Sequence, residues 1–265
     1  MNKTSMTRAI LASSMLLLPL CAQDIDDILK RNHEADKQNE ERAKQYTYVE
    51  ETDNFEYDKH GERKKTGSEI HDVIFVEGES YKRLVARDGK PLPPKEEAKE
   101  EKKLQQTAEE RRKARRKGLF NFSRSVSVSG DDLDKLCDRR MAGEEEIRGR
   151  KAWVIEYTPQ KGRVPANKHE KDVLSMQTKV WVDEEDGVTA KLELLAISDG
   201  TFLKPGSSIT IETAKINDDA WLPVFTVFDA RIQIALVIRD SVRSESRNSN
   251  FKKFDVKSTI TAGDR

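Results

Sequence analysis

The chain has 265 residues, 35% of them hydrophobic and 36% charged, with 48 Lys and Arg balancing 48 Asp and Glu. That length gives room for one sizeable core, and the large charged fraction puts much of its charge on solvated faces. The zero balance excludes global steering toward nucleic acid or another polyanion. No low-complexity tract or repeat is visible.

Residues 1–22 read as a signal peptide. Lys3 and Arg8 form a basic start, AILASSMLLLPL is an apolar run too short to span a bilayer, and Ala22 supplies a small residue before Gln23. The expected mature chain starts at Gln23 and is exported to the periplasm or secreted. Acylation of Cys21 is the minority reading, because bulky Leu20 precedes that cysteine. Cleavage would remove two bases and no acid, leaving 46 basic against 48 acidic side chains, a net of −2. No later stretch is apolar enough for a transmembrane segment. The mature chain would keep one cysteine, Cys137, which cannot form an intramolecular disulfide and reads as a small apolar filler.

Asp24 to Gln45 reads as a helix capped by Asp24, with Asp26 and Asp27 near its positive end and a short apolar patch at Ile25, Ile28 and Leu29. The rest of it is strongly polar, which predicts a surface helix held at its first turns. From Tyr46 to Ala86 the period changes to two. Short antiparallel strands are expected around turns at Asp58-Lys59-His60-Gly61, Glu77-Gly78 and Asp88-Gly89. Pro93-Pro94 opens a charged helical insert, 95–117, with few apolar residues and a basic end, RRKARRKG. A solvated helix face is the favoured reading over a nucleic-acid patch, since the charge balance and the export signal both oppose nucleic acid. Gly118 would end this helix, Leu119 and Phe120 would anchor it, and Asp131 would cap a short helix DDLDKLCDRR.

From Arg148 to Ile238 the chain reads as successive strands. In the approach to KLELLA, Val188, Ala190, Leu192, Leu194 and Ala196 fall on one face, with Thr189, Lys191 and Glu193 opposite. Phe228 to Ile238 repeats the alternation, with Phe228, Ala230, Ile232, Ile234, Leu236 and Ile238 together. Asp186-Gly187 predicts a hairpin; Lys204-Pro205-Gly206 and Asn217-Asp218-Asp219 predict looser turns. The fold class is therefore α+β, built on a large antiparallel sheet with one apolar face.

Catalytic signatures are absent: no GxSxG, HExxH, P-loop, GxGxxG or CxxC occurs. The four histidines are scattered. Glu69 and His71 could share a strand face as two metal ligands, but no third partner is in view. Asp183-Glu184-Glu185-Asp186 sits at a turn, where solvation is the ordinary role and a weak calcium site the lesser one. The tryptophans say more. Trp153 shares a face with Ile155 and Tyr157, Trp181 lies opposite to Val180 and Val182, and Trp221 precedes Leu222-Pro223. Each is ordinarily core. Yet the helices at 24–45 and 95–117 carry thin apolar stripes, so the sheet offers more apolar area than they cover, and such a surplus marks a binding surface.

The order TYVEETDNFEYDKHGERKK, ESYKRLVARDGKPL, a charged helical insert, GEEEIRGRKAWVIEYTP, KVWVDEEDGVTAKLE and DDAWLPVFTVF resembles the LolA/LolB-like family of outer-membrane lipoprotein-sorting and periplasmic lipid-carrier proteins. The resemblance covers most of residues 23–265 as one domain. It implies a sheet curved into an open half-barrel, with a few helices on one face over an apolar cavity for lipid or lipoprotein acyl chains. It implies no cofactor and no catalysis. The insert is more charged than a lid over acyl chains should be. The expected concave lining is Trp153, Ile155, Tyr157, Val180, Val182, Leu192, Leu194, Ile209, Ile211, Phe228, Ile232 and Ile234. The alternative is an envelope protein-interaction or sensor module that uses the same sheet with its cavity filled.

Overall fold

A computed structural model of the chain describes residues 24–58, 60–116, 129–201, 203–234 and 238–254; it describes side chains for all of these except 114–116, 232–234 and 238–240. The expected signal peptide, Cys21, and the expected helix end at Gly118 to Phe120 lie outside the described residues. No helix among the described residues is long and apolar enough to cross a membrane.

Helix α1 (Ile25–Ala43) leads into the strands β1 (Tyr46–Tyr57), β2 (Arg63–Val76), β3 (Glu79–Arg87) and β4 (Lys90–Pro91). Helices α2 (Pro94–Arg116) and α3 (Gly130–Leu136) follow, then β5 (Cys137–Ile147) and β6 (Arg150–Pro159). Helix α4 (Lys168–Leu174) precedes β7 (Met176–Asp183), β8 (Thr189–Ala196), β9 (Ser208–Ile216), β10 (Ala220–Ile234) and β11 (Ile238–Lys253). All eleven strands form one antiparallel sheet, ordered β4-β3-β2-β1-β11-β10-β9-β8-β7-β6-β5. Its ends do not meet, so the fold is an open α+β half-barrel. The expected turns hold. Gly187 has φ +73°, and a Cβ there would meet the Arg31 side chain at 3.0 Å. Asn217 and Asp218 take positive φ between β9 and β10, a conformation that short polar side chains tolerate.

Three expectations need correction. The DDLDKLCDRR helix stops at Leu136, and β5 begins at Cys137. Its cap is Ser129, not Asp131: Ser129 Oγ accepts from the Asp132 amide at 3.2 Å while the Asp132 carboxylate accepts from the Ser129 amide, a reciprocal box. The alternation from Phe228 to Ile238 does not belong to one strand, because Ile234 ends β10 and pairs antiparallel with Ile238, the first residue of β11.

The third correction concerns α1, which is held along its whole length. Its apolar patch packs into the core through Ile28 and Leu29. Beyond them the same seam continues in polar residues that bond the sheet. Asn32 Nδ2 donates to the Gly187 carbonyl at 2.9 Å, and Asp36 accepts from the amide and hydroxyl of Thr189 at 2.9 and 2.7 Å. Asn39 both donates to the Trp221 carbonyl (2.8 Å) and accepts from its amide (2.7 Å). Arg31 adds hydrogen bonds to the carbonyls of Glu184 and Glu185. Burial pushes the Asp36 carboxyl up, against the Thr189 hydrogen bonds that lower it.

Replacing Asn39 by Ala leaves both Trp221 backbone groups without their partner. We expect a loss of about 2 kcal/mol in denaturant unfolding, while Gln38→Ala, at the exposed neighbouring position, stays within about 0.5 kcal/mol of wild type.

Candidate functional site

The strand registers sort the expected lining into two regions of one sheet face. The first lies beneath helices. Trp153, Ile155, Tyr157, Val180 and Val182 cluster with Ile28 and Leu29 of α1, Leu133 and Leu136 of α3, Cys137, and Val173 of α4. Ile155 and Val182 have no exposed surface. Leu194 is also buried, in a second cluster with Met176, Ala196, Leu203 and Ala230. Helix α4, which the sequence reading missed, supplies part of the cover. This half of the face is filled.

The second region is half-open. Leu192, Ile209, Ile211 and Phe228 are each partly buried. Directly opposed residues on neighbouring strands share a face, so the registers trace two cross-sheet rows. One runs from Leu192 on β8 to Ile211, Thr226, Ser246, Thr52 and Glu69, ending at Arg87 on β3. The other runs from Leu194 through Ile209, Phe228 and Ser244 to Asn54. At about 4.8 Å per strand, β8 to β1 spans roughly 19 Å. Both rows begin apolar and turn polar, the first at Thr226 on β10 and the second at Ser244 on β11; further on, Thr52 and Ser246 share a hydrogen bond of 2.8 Å. The side chains of Ile232 and Ile234 lie outside those described.

The charged end of this face is neutralised from within. Arg87 bonds Glu69 at 3.1 Å and Glu96 at 2.9 Å, and Lys82 reaches both oxygens of buried Glu50 at 2.7 Å. A cavity of about 400 Å³ opens there between β3 and α2, walled by Leu84, Leu92 and charged residues that include Arg87, Lys99 and Glu100. His71, opposite Glu50, is lowered by burial, against the raising effect of the Glu69 charge. Tyr48, on the same face of β1, is pushed up to about 12 by burial and by Glu50.

The lesser chemical candidates find ordinary roles. Glu69 lies 3.7 Å from His71, but its carboxylate already holds Arg87, and no group of three metal-ligating side chains occurs among the described residues. In the acidic turn, Asp183 is 1% exposed and receives Arg150 at 2.6 and 2.8 Å. Asp186 accepts from Trp221 Nε1 (2.9 Å) and Lys215 (3.2 Å), so this turn is a packed ion network rather than a cation cradle. Burial, with Asp138 beside it, pushes the Cys137 thiol up to about 11, far from a nucleophilic thiolate. On α2, Arg111 donates to the carbonyls of Val76, Glu79 and Ser80 at 2.9–3.0 Å and Arg112 bonds Glu77 at 2.7 Å. These two arginines of the basic run close an edge of the sheet.

No protein-family model matches the chain. No curated protein matches its sequence. Among solved structures, a putative outer membrane lipoprotein-sorting protein domain from Vibrio parahaemolyticus overlays with 11% identity over 85% of this chain and 93% of its own, at TM-score 0.39. A DUF1329 family protein from Desulfovibrio piger gives 14% identity, 88% and 95% coverage and TM-score 0.37. A LolA superfamily protein from Nitrosomonas europaea gives 12%, 83% and 94%, and TM-score 0.29. The chain is similar to LolA-superfamily structures.

The two regions respond differently to an inserted charge. Trp153→Asp puts a carboxylate into packed core and is expected to abolish cooperative thermal unfolding. Ile211→Asp, on the half-open face, is expected to keep a cooperative transition, with a modest drop in Tm.

Proposed function

We propose that this chain is a non-enzymatic envelope protein that binds a lipid-like, amphipathic ligand on the open half of its concave face. The observation that carries the reading is the polarity gradient along the two cross-sheet rows. A hydrocarbon chain gains by covering Leu192, Ile209, Ile211 and Phe228. The hydroxyls and amide of Thr226, Ser244, Ser246, Thr52 and Asn54 suit a polar head one or two strands further on. Because Arg87 and Lys82 already hold carboxylates, the gradient favours a head that offers hydroxyl or carbonyl groups over one that needs a free cation. Lipid or lipoprotein acyl chains meet this description. Export through the signal peptide of residues 1–22, with Gln23 as mature N-terminus and no acyl group on Cys21, would put the protein in the periplasm, where such ligands pass.

One observation favours a second reading. Trp153, Ile155, Tyr157, Val180, Val182 and Leu194 are already covered by the chain itself, which suits an envelope protein-interaction or sensor module whose cavity is filled.

Uptake of a fluorescent fatty-acid analogue separates the two. The mature wild-type chain should bind the probe, and Ile211→Asp should weaken binding by about 10-fold or more, since a carboxylate would be desolvated beneath the acyl chain. A wild type that takes up no probe, or a folded Ile211→Asp that takes it up unchanged, would reject the lipid reading and favour the protein-interaction module.

A further inference from the structure

The sheet has two ends, and the described residues close only one. At the β3 end, β4 pairs with Ala86 and Arg87, the Leu92 amide donates to the Val85 carbonyl at 3.1 Å, and Arg111 takes the carbonyls of Glu79 and Ser80. At the other end, β5 pairs among the described residues with β6 alone, and most of its residues from Asp138 to Glu146 are exposed. An edge strand of 11 residues with no described strand on its outer side is a template for pairing.

Charges on such an edge are commonly protective, because two like-charged edges repel. Here both signs are present, and their placement is self-complementary. Arg139 and Arg140 precede a bulge, while Glu144, Glu145 and Glu146 follow it. The bulge lies at Ala142: Met141 pairs with Ile155 and Gly143 with Val154, and Gly143 takes φ +132°. Arg139 and Glu146 are seven residues apart and would point to opposite faces of a regular strand. The extra residue returns them to one face, the helix-covered one, where Arg139 also meets Asp26 and, at 3.3 Å, Asp134. Arg140 and Glu145 share the other face in the same way; there Glu145 accepts from Trp181 Nε1 at 2.9 Å.

We propose that β5 is a self-association edge, pairing antiparallel with β5 of a second copy about a two-fold axis beside Ala142. In that register Arg139 stands opposite Glu146 of the partner subunit, and Arg140 opposite Glu145 of the partner subunit. Met141 stands opposite Glu144 of the partner subunit. The two-fold repeats each pair, giving four Arg–Glu pairs on matching faces with no like charges opposed. Arg140 now pairs with Glu156, and Glu145 lies 3.7 Å from Lys179; Glu144 and Glu146 have no ion pair among the described residues. These groups sit at an exposed edge, so sharing or exchanging partners costs little. The two half-open faces of the dimer would lie on the same side of one continuous sheet.

Sedimentation of the mature chain over a concentration series tests this directly. Wild type is expected to form a dimer that weakens with added salt. The double reversals Arg139→Glu/Arg140→Glu and Glu145→Arg/Glu146→Arg should each weaken self-association by about 100-fold or more. Mixed one to one, they should dimerise again, because one edge is then acidic and the other basic at all four positions. A wild type that stays monomeric at the highest soluble concentration overturns the proposal, as does a reversal variant that dimerises like wild type. A readout on the unmutated chain covers the case in which the variants fail to fold. Hydrogen exchange at the β5 amides should slow as the dimer fraction rises, and unchanged β5 exchange in a dimerising sample overturns the assignment.

Discussion

The hydrogen-bonded seam of α1 decides what the rest of this molecule can do. A backbone amide or carbonyl buried at the end of a strand must find a partner or cost on the order of 1–3 kcal/mol. The groups at Gly187, Thr189 and Trp221 find theirs in Asn32, Asp36 and Asn39, spaced three or four residues apart on one helix face. A helix with only three apolar residues in its first turns can therefore lie across the sheet. Its beginning seals Trp153, Ile155 and Val182 beneath it, and its end packs Ala43 against Tyr46 and Leu222. The strip around Leu192, Ile211 and Phe228 is left half-open. Core and groove are parts of one apolar face, divided by where this helix is tied.

A second constraint sets the chemistry of the groove's polar end. Among the described residues, the N-terminal strands β1–β4 join the rest of the sheet through β11 alone. Apolar packing secures one end of that joint, where Tyr46 clusters with Leu222 and Phe251 and the Tyr48 and Phe251 rings lie 5.4 Å apart; further along, ions make it. On the outer face, Glu245 is buried and bonded by Arg63 at 2.5 Å and Arg243 at 2.9 Å. Arg243 also holds Asp229, which accepts from the Tyr57 hydroxyl at 2.6 Å. Burial alone would raise the Glu245 carboxyl; the Arg243 hydrogen bond and the Arg63 charge outweigh it and hold it below its ordinary value. Arg63 and Arg247 cover the rings of Phe55 and Phe225. A connected network of this kind fixes register, because a slipped strand would leave its buried charge unpaired. Along that part of the joint the inner face need not carry the core, so Ser244, Ser246, Thr52 and Asn54 can stand there.

How much of this was legible follows from what holds each element. Strands β6 to β10 and their turns could be read because apolar alternation and Asp-Gly or Asn-Asp chemistry build them. The Asp24 cap was readable, and its side chain accepts from Asp26 at 3.0 Å. Strand β11, RDSVRSESRNSNFKK after Ile238, has no apolar period; beyond the packing of Val242 and Phe251 it is held by ions and hydroxyls, which a hydrophobic pattern cannot report. Strand β5 was hidden for a related reason. As an exposed edge with a bulge at its centre it breaks period two, and its charges looked like a continuation of the preceding helix. The polar seam of α1 looked solvated because its partners, at Gly187, Thr189 and Trp221, lie about 150 to 180 residues away. Of the expected lining, the sequence placed the residues on a shared face but could not show which of them α1, α3 and α4 would cover.

The division of that face into filled and open halves is the central claim, and it can be read at single methyl groups. Titrate a nitroxide-labelled fatty acid into methyl-labelled protein and follow the line broadening of each assigned signal. The account predicts broadening that is strongest around Leu192, Ile209 and Ile211 and falls off toward Ile155 and Val182 beneath the helices. Broadening centred on Ile155 and Val182 would mean that the helices lift and the covered half is the true cavity, contradicting the account.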